Sequence, residues 1–236
     1  MDSTTTYGQF CPLAMAAEFL CKRWMLLILR ELLLGSSSFN DISRGVTRMS
    51  RSLLSLRLKE LEQRGLVKKE TKSNRRSTCY RLTESGKSLR DVVFGMAQWS
   101  QQWLHIEPSL ENIDVDHLYW SIRGSARCHP DLPDPFVVNI YLPEQPPLKQ
   151  NCWLLFEDTG VELCIIDHDF EVDVQLQASA RDLVKVYLGW YSLSEAIEQG
   201  DLILHGSREH TSLVDKWFGL SRLATVKKQP ENLRVF

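Results

Sequence analysis

The chain has 236 residues and a net charge of −2, enough length for two domains of ordinary size and no overall bias toward a polyanion. The apolar run Met25–Leu29 is bracketed by Lys22-Arg23 and Arg30-Glu31, so no stretch is expected to span a membrane, and the start lacks the pattern of a secretory signal. The six cysteines (11, 21, 79, 128, 152 and 164) show no Cys-x-x-Cys and no metal-type spacing, which is expected of reduced, mostly buried thiols in a cytosolic protein.

In chain order, residues 12–20 and 22–34 read as two helices. Pro12 suits a first helical turn. Leu13, Ala16, Ala17 and Leu20 make one apolar face, and Trp24, Leu27, Ile28 and Leu32 another. Gly35 and a serine run end the second. Residues 39–45 form a short helix with Ile42 inward, and a turn leads to Ser50, a good N-cap. On the next helix Leu54, Leu58 and Leu61 face a core. Ser52, Ser55, Leu56, Lys59 and Gln63 point the other way. Leu56 is unusual on such a face; it suits a thymine methyl, a partner subunit or the following hairpin. The helix stops at Gly65. Leu66 and Val67 open a strand, a basic polar tip follows, and Cys79, Tyr80 and Leu82 make a second strand. Helix, turn, helix and basic hairpin in this order are the parts of a winged helix-turn-helix.

Charge points the same way. Residues 44–81 hold twelve lysines and arginines against three acids, a net +9. Residues 1–107 carry +7 and residues 108–236 carry −9, so the front half suits a polyanion and the back half would be repelled by one. The residues expected at double-stranded DNA are Ser50, Arg51, Ser52, Ser55 and Lys59 for bases and phosphates, and Arg44, Arg48, Lys72, Arg75 and Arg76 mainly for phosphates.

Thr83-Glu84 opens a long helix to about Ile106, with Leu89, Val92, Val93, Met96, Trp99, Trp103 and Leu104 on a wide apolar stripe. Part of that stripe packs on its own domain. The rest, with the N-terminal helix, is expected to join two copies into a homodimer. The composition changes after Glu107-Pro108. A helix near 114–123 precedes strands at 136–142, 152–157, 161–166 and 172–177, with Gly160 at a hairpin turn. Helices at 179–188 and 194–199, a strand at 202–205 and a helix at 207–218 follow, and residues after Ala224 read as a loose tail. The expected architecture is a mostly α winged helix-turn-helix with a β-hairpin wing over residues 1–107, and an α+β domain with an antiparallel sheet over residues 108–236.

Cys11-Pro12-Leu13, Lys22-Arg23-Trp24, Leu27 to Leu32, Phe39-Asn40-Asp41-Ile42, Arg57 to Glu62, Gly65-Leu66-Val67 and Tyr80 to Thr83 resemble the HxlR-type winged-helix regulators. That resemblance implies a homodimeric transcription factor, often a repressor, with residues 50–64 as recognition helix and 68–82 as wing. The tip Lys72 to Ser77 lacks the proline-rich sequence common there. Some such regulators sense oxidants through a cysteine before the first proline, which maps onto Cys11, and a helix N-terminus favours thiolate. The back half, through Ala178 to Val184 and Gly189 to Gly206, is similar to sterol-carrier-protein-type domains, which enclose an apolar tunnel. The resemblance implies a small apolar effector, with Trp153, Phe156, Trp190, Tyr191, Trp217 and Phe218 as candidate lining or as plain core.

No Gly-x-Ser-x-Gly, His-Glu-x-x-His, P-loop or Gly-x-Gly-x-x-Gly is present. The expectation is a non-enzyme without cofactor or metal. A thiol switch on Cys11 and a lipid carrier with a basic docking head stand as alternatives.

Overall fold

The structure, a computed structural model, describes residues 6–71 and 78–235. Its contacts fall into two units, Met1–Ala97 and Gln98–Phe236. The first begins with α1 (Pro12–Leu20) and α2 (Met25–Leu34). Ser38 Oγ accepts the Asp41 amide at 3.1 Å and opens α3 (Phe39–Gly45). Ser50 Oγ accepts the Leu53 amide at 3.3 Å and opens α4 (Arg51–Gln63). Each cap satisfies one of the amides that a helix start leaves without an intrahelical partner.

Gly65 ends α4 at φ +71, a left-handed position that costs a side chain dearly, and the Leu66 amide returns to the Leu61 carbonyl at 3.0 Å. β1 (Val67–Thr71) and β2 (Thr78–Leu82) then pair antiparallel, Val67 opposite Leu82 and Thr71 opposite Thr78. Tyr80 N donates to Ser37 O at 2.7 Å, which ties the hairpin to the start of α3. The core is Met25, Ile28, Leu29, Ile42, Leu54, Leu58, Leu61, Val67 and their neighbours, all nearly inaccessible.

Three expectations change here. The helix expected over 84–106 is two: α5 (Glu84–Ser88) and α6 (Arg90–Trp103), broken at Leu89. Gly86 is the reason α5 sits where it does; a Cβ there would strike the Leu66 carbonyl. Leu13 and Leu27, assigned to apolar faces, are 77% and 40% exposed, because α1 inserts only Leu20 and α2 turns Met25, Ile28, Leu29 and Leu32 inward instead. The thiols are not mostly buried: Cys11, Cys21 and Cys128 are exposed, and Cys152 alone of the six is fully enclosed. Burial raises the Cys152 thiol pKa well above the ordinary value.

The second unit takes in the end of α6. Gln101 is buried there and donates Nε2 to the Leu188 carbonyl at 3.3 Å. After α7 (Val115–Ser125) come β3 (Phe136–Tyr141), β4 (Asn151–Glu157), β5 (Gly160–Cys164) and β6 (Val174–Ala178), then α8 (Ala180–Tyr187), α9 (Leu193–Gln199) and β7 (Leu202–Gly206). The helix expected over 207–218 is two short pieces, α10 (Arg208–Thr211) and α11 (Val214–Trp217).

The strands form one five-stranded sheet in the order β5-β4-β3-β6-β7. It is mixed, not antiparallel: β3 and β6 run parallel, Val138 beside Val174 and Ile140 beside Leu176. The hairpin β4–β5 lies on one side of β3, and the connection through residues 165–173 returns the chain to the other. A central strand covered on both faces reads as a continuous apolar run, and β3 has five of its six residues buried.

Residues 226–235 are not loose. Gln229 N donates to Gln102 O at 2.9 Å and Val235 N to Trp103 O at 2.7 Å, while Val235 O accepts the His105 amide. These are carbonyls that the last turn of α6 leaves without helical partners. Glu107 accepts from both Lys228 and Arg234, and the Lys228 ammonium sits 3.4 Å from the centre of the Trp190 ring. Burial tends to raise Glu107, but the Lys228 hydrogen bond and the two positive charges hold its pKa below the ordinary value.

Candidate nucleic-acid interface

α3 and α4 meet through Val46 and Met49, both buried, with the Met49 amide on Val46 O at 2.9 Å. Gly45 lets the end of α3 close on α2: a Cβ there would run into the Glu31 carboxylate. Arg30 fixes the corner, donating to Gly45 O at 2.9 Å and pairing with Glu31 at 2.8 Å. α4 is therefore held on its inner side by three leucines and at its start by a buried turn.

Its other side is open. Ser52, Ser55, Lys59 and Gln63 are exposed, as is Leu56 at 50%. With 13 residues at about 1.5 Å each, α4 is roughly 20 Å long, a length that fits a DNA major groove. Lys59 has no ion pair or hydrogen bond to the described residues.

The other expected cations divide by what they already touch. Arg51 donates to Asn40 Oδ1 at 3.0 Å and lies 4.7 Å from the Phe39 ring centre. It is preoriented at the seam of α3 and α4 with donors to spare. Asn40 was not singled out from sequence; its place two residues into α3, opposite the first residue of α4, is the signal that identifies it. Ser50 spends its hydroxyl on the cap and lies 3.2 Å from Ser52 Oγ. Arg44 is 59% exposed, 3.8 Å from Asp41, and Arg48 is exposed on the turn. Arg57 is turned away from this set, gripping Glu60 through two contacts of 2.9 Å.

On the hairpin, Lys68 and Lys69 are exposed and Arg81 stands opposite Lys68, paired with Glu70 at 3.0 Å. These three extend the basic surface beyond the expected set. Lys72, Arg75 and Arg76 lie outside the described residues.

Cys11 is exposed at the N-cap of α1, its side chain capping nothing, with Pro12 in the first turn. The six aromatic residues expected as pocket lining divide between the core of the second unit and its half-buried margin. Phe156 lies 6.0 Å from Trp217, Trp217 lies 5.7 Å from Phe218, and all three are buried. Trp153 packs on Phe170 at 6.1 Å, Trp190 under Lys228, and Tyr191 donates its hydroxyl to Asp201 at 2.9 Å. Phe156, Trp217 and Phe218 fill space against one another and the other three against different partners; an open groove of about 580 Å³ in the same unit is lined by other residues, along β7. Among the described residues no His, Cys, Asp and Glu side chains cluster as a metal site, and no helix is long and apolar enough to cross a membrane.

Residues 19–108 match the HxlR-like helix-turn-helix family. YvaP of Bacillus subtilis (strain 168), described as an uncharacterized helix-turn-helix-type transcriptional regulator, is 37% identical over 104 residues, 43% of this chain and 94% of that protein. The transcriptional regulator YodB of the same organism is 35% identical over 95 residues, 39% of this chain and 85% of that protein. The solved reduced form of YodB covers 41% of this chain and 97% of its own, at 33% identity and a TM-score of 0.37. The matched residues are those that build α2, the α3–turn–α4 corner, the basic hairpin and α6. With nearly the whole of YvaP aligned at this identity, the chain belongs to the HxlR-like helix-turn-helix family.

Proposed function

We propose that the chain is a cytosolic, homodimeric regulator of transcription, without catalytic activity, that represses by occupying an inverted-repeat operator. The observation that carries this reading is the outer face of α4. It presents Ser52, Ser55 and Lys59 from a helix locked by Leu54, Leu58 and Leu61, flanked by exposed Arg44, Arg48, Arg51, Lys68 and Lys69. Small hydroxyls and long cations on a rigid support suit base edges and phosphates. YvaP and YodB, named as transcriptional regulators, support the same reading.

A dimer is supported by apolar side chains left facing water. Phe10, Leu13 and Met15 are 100%, 77% and 59% exposed, and Val92, Met96 and Trp99 recur at helical spacing on α6, about half exposed. Two heads joined there would place their recognition helices about one helical turn of DNA (~10 bp) apart. A footprint of the purified protein on the DNA upstream of its own gene, at low and moderate salt, tests this. Two protected half-sites a turn apart are expected; protection without boundaries that disappears with salt would overturn operator recognition.

A second reading has its own observation. Cys11 stands exposed at a helix start, its side chain making no capping hydrogen bond. On that reading oxidant releases the DNA, and Cys11→Ser abolishes the release while leaving binding of the reduced protein unchanged. The six candidate aromatic residues of the second unit lend no support to an effector site among them, since Phe156, Trp217 and Phe218 pack on each other and none of the six lines the groove along β7.

A further inference from the structure

The two edges of the five-stranded sheet are finished differently. At the β5 edge, Arg123 Nε donates to the Val161 carbonyl at 2.7 Å, and Glu162 puts a charge in the middle of the strand. Both devices discourage further strand pairing. The β7 edge, Leu202-Ile203-Leu204-His205-Gly206, has no Lys, Asp, Glu or Pro. Apart from its ladder to β6, no hydrogen bond from residues 202–206 to the other described residues exists.

The groove of about 580 Å³ runs along this same edge. It is lined by Leu202, Ile203 and Leu204 together with Ile197 of α9 and Arg208 and Val214 beyond the strand. Successive side chains of a strand point to opposite faces, so a groove touching three in a row lies beside the backbone and not over one face. Ile203 is 40% exposed there and Ile197 37%. Arg208 lines the groove without an ion pair or hydrogen bond from its guanidinium to the described residues.

We propose that β7 pairs with β7 of a second copy of this chain, antiparallel about a two-fold axis through Leu204, joining two five-stranded sheets into one. Self-complementarity identifies the occupant. In that register Leu204 faces Leu204, Ile203 faces His205 and Leu202 faces Gly206. Asp201 comes opposite Ser207, beside Arg208, whose guanidinium has no partner among the described residues of its own chain. The arrangement is isologous, so each contact occurs twice, and two Arg208–Asp201 pairs close its ends. Asp201 has one oxygen on the Tyr191 hydroxyl and keeps the other for this contact. Residues 108–236 carry −9 in each copy, a repulsion that salt at physiological strength screens beyond about 8 Å. A five-residue strand is smaller than a standard interface of about 800 Å² per partner. The pairing therefore acts as the second contact of a dimer held first by the Phe10, Leu13 and Met96 surface, and to that extent rests on the dimer proposed above.

The full-length protein tests both contacts separately. Ile203→Cys and His205→Cys variants are mixed, gently oxidised and mapped by mass spectrometry; both positions are exposed, so folding is expected to survive, as a thermal melt confirms. The expected product is a disulfide between position 203 of one copy and 205 of the other. A Met96→Cys variant reports the first contact in parallel. Arg208→Asp and Asp201→Arg each raise the dimer dissociation constant by about fivefold, and the double variant recovers it. A linked Met96→Cys dimer without the 203–205 disulfide overturns the strand pairing and leaves the head dimer standing. The 203–205 disulfide without the Met96 link does the reverse. An edge that takes a foreign extended peptide or a small apolar acid gives no 203–205 disulfide and no recovery in the double variant, which also overturns the proposal.

Discussion

The recognition helix α4 keeps its polar chemistry outside the core, and the sheet of the second unit draws part of its own in. On α4 the inward positions are Leu54, Leu58 and Leu61, and the hydroxyls and cations stand in water. In the sheet, Asn139 is 3% exposed at the middle of β3. It donates to Asn151 Oδ1 and Cys152 O, each at 3.2 Å, and accepts from Gln175 Nε2 at 2.9 Å. Tyr119, 1% exposed, donates its hydroxyl to Lys149 O at 2.8 Å, and burial raises its pKa. A reading surface needs free groups on an apolar support, so its outer residues are exchangeable for stability and costly for binding. An inward amide network has the opposite profile, because each member lost strands another.

The largest effect that sharpens this contrast is Leu58→Ala. It opens a cavity under α4 and costs about 2–5 kcal/mol, read by urea denaturation, with DNA binding lost through unfolding. Asn139→Ala comes next. It leaves Gln175 Nε2 and the Cys152 carbonyl short of a partner and costs about 1–3 kcal/mol. An unchanged urea midpoint would mean the inward network carries nothing, and the contrast would fail. Ser50→Ala removes the cap of α4 and costs about 1 kcal/mol. Lys59→Ala leaves the melting curve in place and lowers the slope of log affinity against log salt by about one, measured by fluorescence anisotropy. Equal affinity and slope would remove Lys59 from the interface.

The smallest effect is on pH dependence. Glu107 is held below its ordinary value of 4.5, so the folded state favours its ionised form. That contribution is present above 4.5 and is lost as pH falls through the lower folded value. In urea melts between pH 6 and 3, Glu107→Gln should show a weaker fall on the acid side than the parent.

Much of this was legible before any coordinates. Gly65 and Ser50 act through their own backbone and neighbours within a few residues, so sequence alone identifies the helix ends they make. The outer face of α4 follows from spacing of 3.6 residues per turn. What was not legible depended on distant chain. Leu89 breaks a helix because the first turn of α5 packs on Leu66, 23 residues earlier. The parallel β3–β6 pair was missed because alternation and apolar runs report burial of a strand, not its direction. Arg51 looked like a free contact, and its partner Asn40 lies on another helix. The aromatic residues invited a pocket because large rings suit both a cavity wall and a filled core, and only packing distinguishes the two.

The cap on α6 has a consequence for how the chain is made. Glu107 and the Arg234 that grips it are 127 residues apart, and the amides of Gln229 and Val235 are needed by Gln102 and Trp103. At about 5–20 residues per second, a ribosome takes roughly 6–25 s to cross that separation. α4 and its leucine core are complete well before then, while the last turn of α6 still has open carbonyls. Synthesis thus delivers a finished reading head first and closes the neighbouring unit last, with long-range strand pairs and a long-range cap setting the slower clock.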